Sequence, residues 1–192
     1  MSSDDILREA RRLVSKVGVV QFSVRELAKA LGVVPGTIYA RFGNKHELLA
    51  ALYLQRIAST QQLLGELRPA DLADVASYLA AIAPNLSALR REFVLYFEGD
   101  GISGPRLQPQ TWHSLKTSFG AFAADLYKRF RTAAAAEGVD VVNGSKARRL
   151  VWMTASTLDS PRGATAFSHT DHGYRRFVAQ SLLHALRAGS AD

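Results

Sequence analysis

Apolar residues recur at steps of three and four along almost the whole chain, and nowhere do they alternate over the length of a strand. That period matches the turn of a helix, so one face of each segment is dry and the fold class is all-α. Ile6, Ala10, Leu13, Val14 and Val17 keep the step until Gly18, predicting a first helix over about 4–17. Ser23 and Glu26 have capping-box spacing in front of Val24, Leu27, Ala28 and Leu31, and Gly32 closes that second, short helix. A third stretch fits only about two turns between Pro35 and the Gly43-Asn44 break. Asn44 then caps a long helix that opens with Lys45, has Glu47 at its third position and runs to about residue 66. Pro69 and Pro84 punctuate the chain beyond it. Further helices are expected over about 85–97, 109–137, 145–159 and 171–188, with loops at GDGISGP and SPRGATAFSHT.

The 192 residues, 47% of them hydrophobic, suffice for a real core, as one domain or as a small domain joined to a larger one. The absence of cysteine rules out disulfides and thiolate metal sites. The opening MSSDDILREARR has acids where a secretory leader carries basic residues, and no apolar run approaches a membrane span, so a cytoplasmic protein without a membrane partner is expected. The net charge of +7 points to an anionic partner. Residues 1–60 hold nine Lys/Arg against five Asp/Glu, so the basic excess is densest at the N-terminal end.

The short third stretch is the most informative. Ile38 and Phe42, four residues apart, pin one side of it against Val24, Leu27 and the first helix. Gly36, Thr37, Tyr39 and Arg41 are left outside. Two helices joined by a Gly-containing turn, the second held by so few core contacts, suit a helix-turn-helix whose recognition helix enters the DNA major groove. Gly36 admits a close phosphate, Tyr39 reaches a phosphate or a thymine methyl, and Lys45 stands at a helix N-terminus.

Residues 6–52 resemble the DNA-binding domain of the TetR family of transcriptional regulators. The likeness runs from Ile6 and Ala10 through Gly18, Ser23-Val24-Arg25-Glu26-Leu27-Ala28, Leu31-Gly32-Val33, Gly36-Thr37-Ile38-Tyr39, Phe42 and Lys45 to Glu47-Leu48-Leu49. It covers about a quarter of the chain, and spacing agrees across three helices and both turns. Carried over, it implies a DNA-binding domain at 1–48 with Arg25, Val34, Pro35, Gly36, Thr37, Tyr39, Arg41 and Lys45 at the interface. It also implies a helical effector-binding and dimerisation domain at 49–192. The function it implies is that of a homodimeric repressor released from a palindromic double-stranded operator by a small-molecule effector. Val34 departs from the family, which often has a capping Ser there, and Arg41 stands where the family often has His. A slightly frayed start of the recognition helix is expected, since Pro35 compensates only in part.

Two apolar stripes belong to the second region. Trp112, Leu115, Phe119, Phe122, Leu126 and Phe130 share one face of the long helix; with Phe93, Phe97, His113 and Trp152, its Trp112 and Phe119 are the candidates for lining an apolar or aromatic effector. Near the C-terminus, Val151, Ala155 and Leu158 form one stripe and Tyr174, Phe177, Val178, Ser181, Leu182 and Ala185 another, suiting a four-helix bundle with a second copy.

Other signals carry less. Gly99, Gly101 and Gly104 with Asp125 imitate a dinucleotide fingerprint, but Pro105 and Pro109 come where a helix should open and no βαβ unit is present. His169, Asp171 and His172 read as caps and surface rather than metal ligands, and the Arg pairs at 90–91, 148–149 and 175–176 as solvated faces. No nucleophile pairs with a base, so the chain is expected to be no enzyme and to need no cofactor or metal. The competing reading is an α-helical ligand-binding or enzymatic protein whose N-terminal helices no longer bind DNA.

Overall fold

The computed structural model describes residues 1–97, 107–158 and 172–187, without the side chains of 91–97 and 172. Eight α-helices account for most of these: α1 Ser3–Gln21, α2 Val24–Ala30, α3 Pro35–Phe42, α4 Lys45–Gly65, α5 Val75–Phe97, α6 Pro109–Ala136, α7 Ser145–Thr157 and α8 His172–Leu186. The all-α reading holds. Extended pairing among the described residues is one antiparallel bridge between Val141 and Arg187.

Local chemistry explains most of the boundaries. Ser2 and Asp5 form a reciprocal capping box at the start of α1, with Ser2 Oγ accepting from the Asp5 N–H at 3.1 Å. Gly18 adopts φ 78° and ψ 163°, which breaks the helix where its apolar pattern stops; one more turn beyond it brings Val19 and Phe22 into the core. At the end of α2, the Val33 N–H donates to the Ala28 carbonyl at 3.0 Å and the Gly32 N–H to that of Lys29 at 3.2 Å, a Schellman closure that needs the positive φ of Gly32. Asn44 caps α4 as expected, its Oδ1 accepting from His46 N–H at 2.8 Å and Glu47 N–H at 3.0 Å.

Two expectations are corrected. Ser23 is the N-cap of α2 by backbone conformation, yet its side chain makes no capping bond. Glu26 is exposed, and no reciprocal box with Ser23 is formed. Pro84 does not punctuate the chain but lies inside α5. A proline there removes one helical bond at a cost of about 3 kcal/mol. Leu79, Ile82, Ala83, Leu86 and Leu89 are buried on one side of α5 and carry its apolar stripe across the proline, which is exposed. Burial of that stripe outweighs the lost bond.

The chain divides into two compact units, Met1–Ala58 with Leu89–Phe119, and Ser59–Ala88 with Gly120–Asp192. The boundary expected after residue 48 falls within the first. In the first unit α2 packs against both α1 and α3, and Ile6, Ala10, Val14, Leu27, Ala28, Ile38, Leu48 and Leu49 are buried. In the second, Tyr78 is fully buried and donates its hydroxyl to the Leu126 carbonyl at 2.6 Å. Phe122 meets Trp152 edge-on at 5.8 Å between ring centroids, and Tyr127 stacks on Phe130 at 5.7 Å. Ser87 donates to the Ser156 carbonyl at 3.1 Å, and the Val75 N–H at the start of α5 donates to Glu137 at 2.7 Å.

Candidate nucleic-acid interface

The geometry begins with what α3 lacks. Val34 is its N-cap and offers no side-chain acceptor, so only the Thr37 N–H to Val34 carbonyl bond at 3.0 Å tightens the first turn. Ile38, 1% exposed, is its one fully buried side chain. Facing outward are Val34 at 69% exposure and Tyr39 at 43%, with Gly36 and Arg41 also exposed and Pro35 and Thr37 half-buried. This eight-residue helix thus turns a tyrosine, a glycine and an arginine to solvent. The helix ends at Gly43, φ 73°, whose N–H donates to the Tyr39 carbonyl at 2.7 Å.

Charge sorts in the same direction. On α1, Arg8 pairs with Asp5 at 3.4 Å and Arg12 with Glu9 at 2.6 Å. The hydrogen bond from Arg12 holds the Glu9 carboxyl below its ordinary range, and the Ser2 backbone N–H does the same for Asp5. Those cations are spoken for. On α2 and α3, Arg25, Lys29 and Arg41 are exposed, and among the described residues no carboxylate pairs with them. Arg41 reaches only the Ser3 hydroxyl, at 3.4 Å. Lys45 is half-buried with its ammonium 5.7 Å from the Phe22 ring centroid, and burial lowers its pKa from the ordinary lysine value. Unpaired guanidinium and ammonium groups beside an exposed tyrosine suit a phosphate backbone. Lys29 was not read from the sequence; its place in the last turn of α2 reads there as a dipole partner only.

The expected effector residues fall into separate surroundings. Phe93 and Phe97 lie outside the described side chains. In the first unit, Trp112 is half-buried against a cluster of Ala50, Leu107 and Leu115 with Tyr53 and Leu54, and the Lys116 ammonium sits 5.0 Å from its ring centroid. Phe119 is half-buried and His113 exposed. In the second unit Trp152 is buried against Phe122. Of the expected dimer residues, Val151, Ala155, Leu158 and Leu182 are already buried in a single copy. Tyr174 and Val178 are half-buried, Ser181 and Ala185 exposed, and Phe177 is 64% exposed. Leu150 and Met153 on α7, passed over in the sequence, are exposed as well.

The glycines at 99, 101 and 104 and the pair His169 and Asp171 lie outside the described residues. Asp125 accepts from Arg129 at 3.1 Å one turn along α6, both side chains half-buried. Among the described residues no group of three or more His, Cys, Asp or Glu side chains converges, and no helix is long and apolar enough to cross a membrane.

Known proteins share both this N-terminal sequence and the fold. Residues 6–52 match the family described as bacterial regulatory proteins, tetR family. A search of curated proteins finds no match. Among solved structures, the chain is similar to the TetR family transcriptional regulator PfmR from Thermus thermophilus, at 23% identity over 93% of this chain and 97% of that one, TM-score 0.58. It is also similar to a bacterial regulatory protein in the tetR family from Rhodococcus RHA1, at 17% identity over 99% and 98%, TM-score 0.62. A third likeness is to AibR, solved with isovaleryl coenzyme A and operator DNA, at 14% identity over 96% and 97%, TM-score 0.58. A region matching the tetR family of bacterial regulatory proteins at 6–52 thus opens a chain whose all-α fold is shared along nearly its whole length with these solved structures.

Proposed function

We propose that this chain is a homodimeric transcriptional repressor that binds a palindromic operator through α3 and is released by a small apolar or aromatic effector. The observation that carries the DNA half is the outer face of α3. Tyr39, Gly36 and Arg41 are exposed on a helix anchored by Ile38, among cations with no carboxylate partner in the described residues. Arg25, Val34, Pro35, Thr37 and Lys45 complete the proposed contact surface. The effector half is supported by the structural neighbour AibR, solved in complex with isovaleryl coenzyme A and operator DNA. A recess of about 360 Å³ in the second unit, lined by Leu63 and Leu67 but also by Glu66, Arg68 and Asp71, offers room for a small group of mixed polarity. Trp112, His113 and Phe119 are the remaining candidates on α6. The dimer half is supported by Phe177, Leu150 and Met153, large apolar side chains left exposed near the C-terminus.

Release results if the effector binds better to the geometry in which the two recognition helices no longer match successive major grooves. Couplings of this kind are about 1–3 kcal/mol. The deciding experiment is selection of bound fragments from genomic DNA, then titration of a selected duplex at several salt concentrations. A steep salt dependence with a sequence preference is expected. Binding that is absent, or equal for every duplex, would favour an α-helical ligand-binding protein without an operator.

A further inference from the structure

Glu47 stands three residues after the Asn44 cap, the spacing at which a carboxylate ordinarily returns to its own helix N-terminus. It goes elsewhere. Glu47 Oε1 accepts the Gln108 N–H at 2.6 Å, across 61 residues, and Oε2 accepts the Thr111 hydroxyl at 2.7 Å, across 64. Gln108 immediately precedes α6 and Thr111 is its third residue. Glu47 therefore caps a helix to which it does not belong, satisfying a donor in the loop before it and placing negative charge at its positive end. Beside this clasp, Ala50, one turn along α4, is fully buried in the apolar cluster with Leu107 and Leu115.

The other end of the linkage is α3. Between its last turn and the first turn of α4 lie only Gly43 and Asn44. They are bound back to α3 by the Gly43 N–H on the Tyr39 carbonyl and by the Asn44 N–H on the Phe42 carbonyl at 2.8 Å. Recognition helix, cap, Glu47 and the start of α6 thus form one run of short bonds. We propose that Glu47 is a positioning residue: through its bonds to Gln108 and Thr111 it fixes α3 relative to the first turn of α6, so that a shift of that turn reorients the DNA-reading face. This rests on the DNA-binding reading above. It gives α6, which also carries Trp112, His113 and Phe119, a defined point of purchase on α3.

The sign of the effect separates this role from simple electrostatics. Removing a carboxylate near a polyanion raises affinity for every duplex on charge alone. Breaking a positioning bond lowers affinity for the preferred sequence and spares the rest. Thr111→Val changes no charge at all.

The test uses the full chain with Glu47→Gln, Thr111→Val and the double substitution. It measures binding to a duplex selected by the parent and to a scrambled duplex, and backbone hydrogen exchange in the protein alone. Each single variant is expected to lose about 10-fold on the selected duplex and under about 2-fold on the scrambled one, as for one charge-assisted hydrogen bond. The double variant should lose less than the sum of the two singles, because the Glu47–Thr111 bond is common to both. Exchange should quicken both at 107–112 and at 36–43. Quickening confined to 107–112, additive losses, or tighter binding to both duplexes by Glu47→Gln would each overturn the proposal. If the parent prefers no duplex while exchange still quickens in both segments, the operator reading fails and the link between α3 and α6 stands.

Discussion

Ile38→Ala isolates the one fully buried side chain of α3. Ile38 is 1% exposed, and truncating a buried isoleucine to alanine costs about 2–5 kcal/mol, through lost transfer energy and the cavity left behind. An eight-residue helix has no stability of its own, and this one starts without a side-chain cap, so the loss should appear as local undocking of α3. At about 1.4 kcal/mol per decade, even the lower end speeds exchange of the α3 amides by roughly 30-fold. Hydrogen exchange read at residues 39–43, with α4 amides at 49–52 as the internal reference, measures this directly. Tyr39→Ala is the companion. At 43% exposure it should cost under about 1 kcal/mol of stability yet weaken a selected duplex by about 1–3 kcal/mol. The reasoning is refuted if Ile38→Ala quickens α3 and α4 equally. It is equally refuted if Tyr39→Ala destabilises as much as Ile38→Ala, for then the two faces of α3 have been exchanged.

Arg25→Ala and Lys45→Met should each reduce the slope of log affinity against log salt by about one, methionine keeping the stem of Lys45 over Phe22; an unchanged slope takes that side chain off the phosphates. Val34→Ser should supply the missing acceptor at the start of α3 and raise stability by about 1 kcal/mol, read as a higher denaturant midpoint at constant slope. Phe177→Arg, at a position 64% exposed, should yield a folded monomer by light scattering at micromolar concentration, whereas Leu182→Arg, at 4%, should lower the melting temperature whatever the oligomeric state. A Phe177→Arg protein that keeps a dimer's mass would move the interface away from that side chain.

How much of the fold was legible depends on how local each signal is. Gly18, Gly32 and Asn44 act within four or five residues of themselves, and the breaks and cap they predict are present with the expected conformations and bonds. Pro84 is equally local and misleads, because the force that overrides it is burial of Leu79, Ile82, Ala83 and Leu86, which depends on the rest of the second unit. Ser23 and Glu26 have the spacing of a box without forming one. For the candidate interface, the outward face of α3 was readable because Ile38 fixes the inward one. Lys29 does not stand out in the sequence, because an exposed lysine in a last helical turn already has an ordinary explanation.

Glu47 and the C-terminal stripes mark the limit of such reading from opposite sides. The Asn-x-x-Glu pattern at 44–47 describes a local box completely, and no spacing within it points to Gln108 or Thr111, more than sixty residues away. Only the approach of α6 to α4 gives the carboxylate a better donor set than its own helix offers. On α7, periodicity marks the stripe of Val151, Ala155 and Leu158, while Leu150 and Met153, passed over there, make a second, since a helix with more apolar residues than one face can hold has two. A 3.6-residue period states that faces exist and is silent on which of them turns inward; the neighbours decide. Here the first stripe is spent in the core of a single copy and the second remains exposed. A side chain with no accessible area left gains nothing from a partner. A second copy that seats on α7 must therefore use Leu150 and Met153, and the symmetric bundle is best sought with those two residues and Phe177 at its seam.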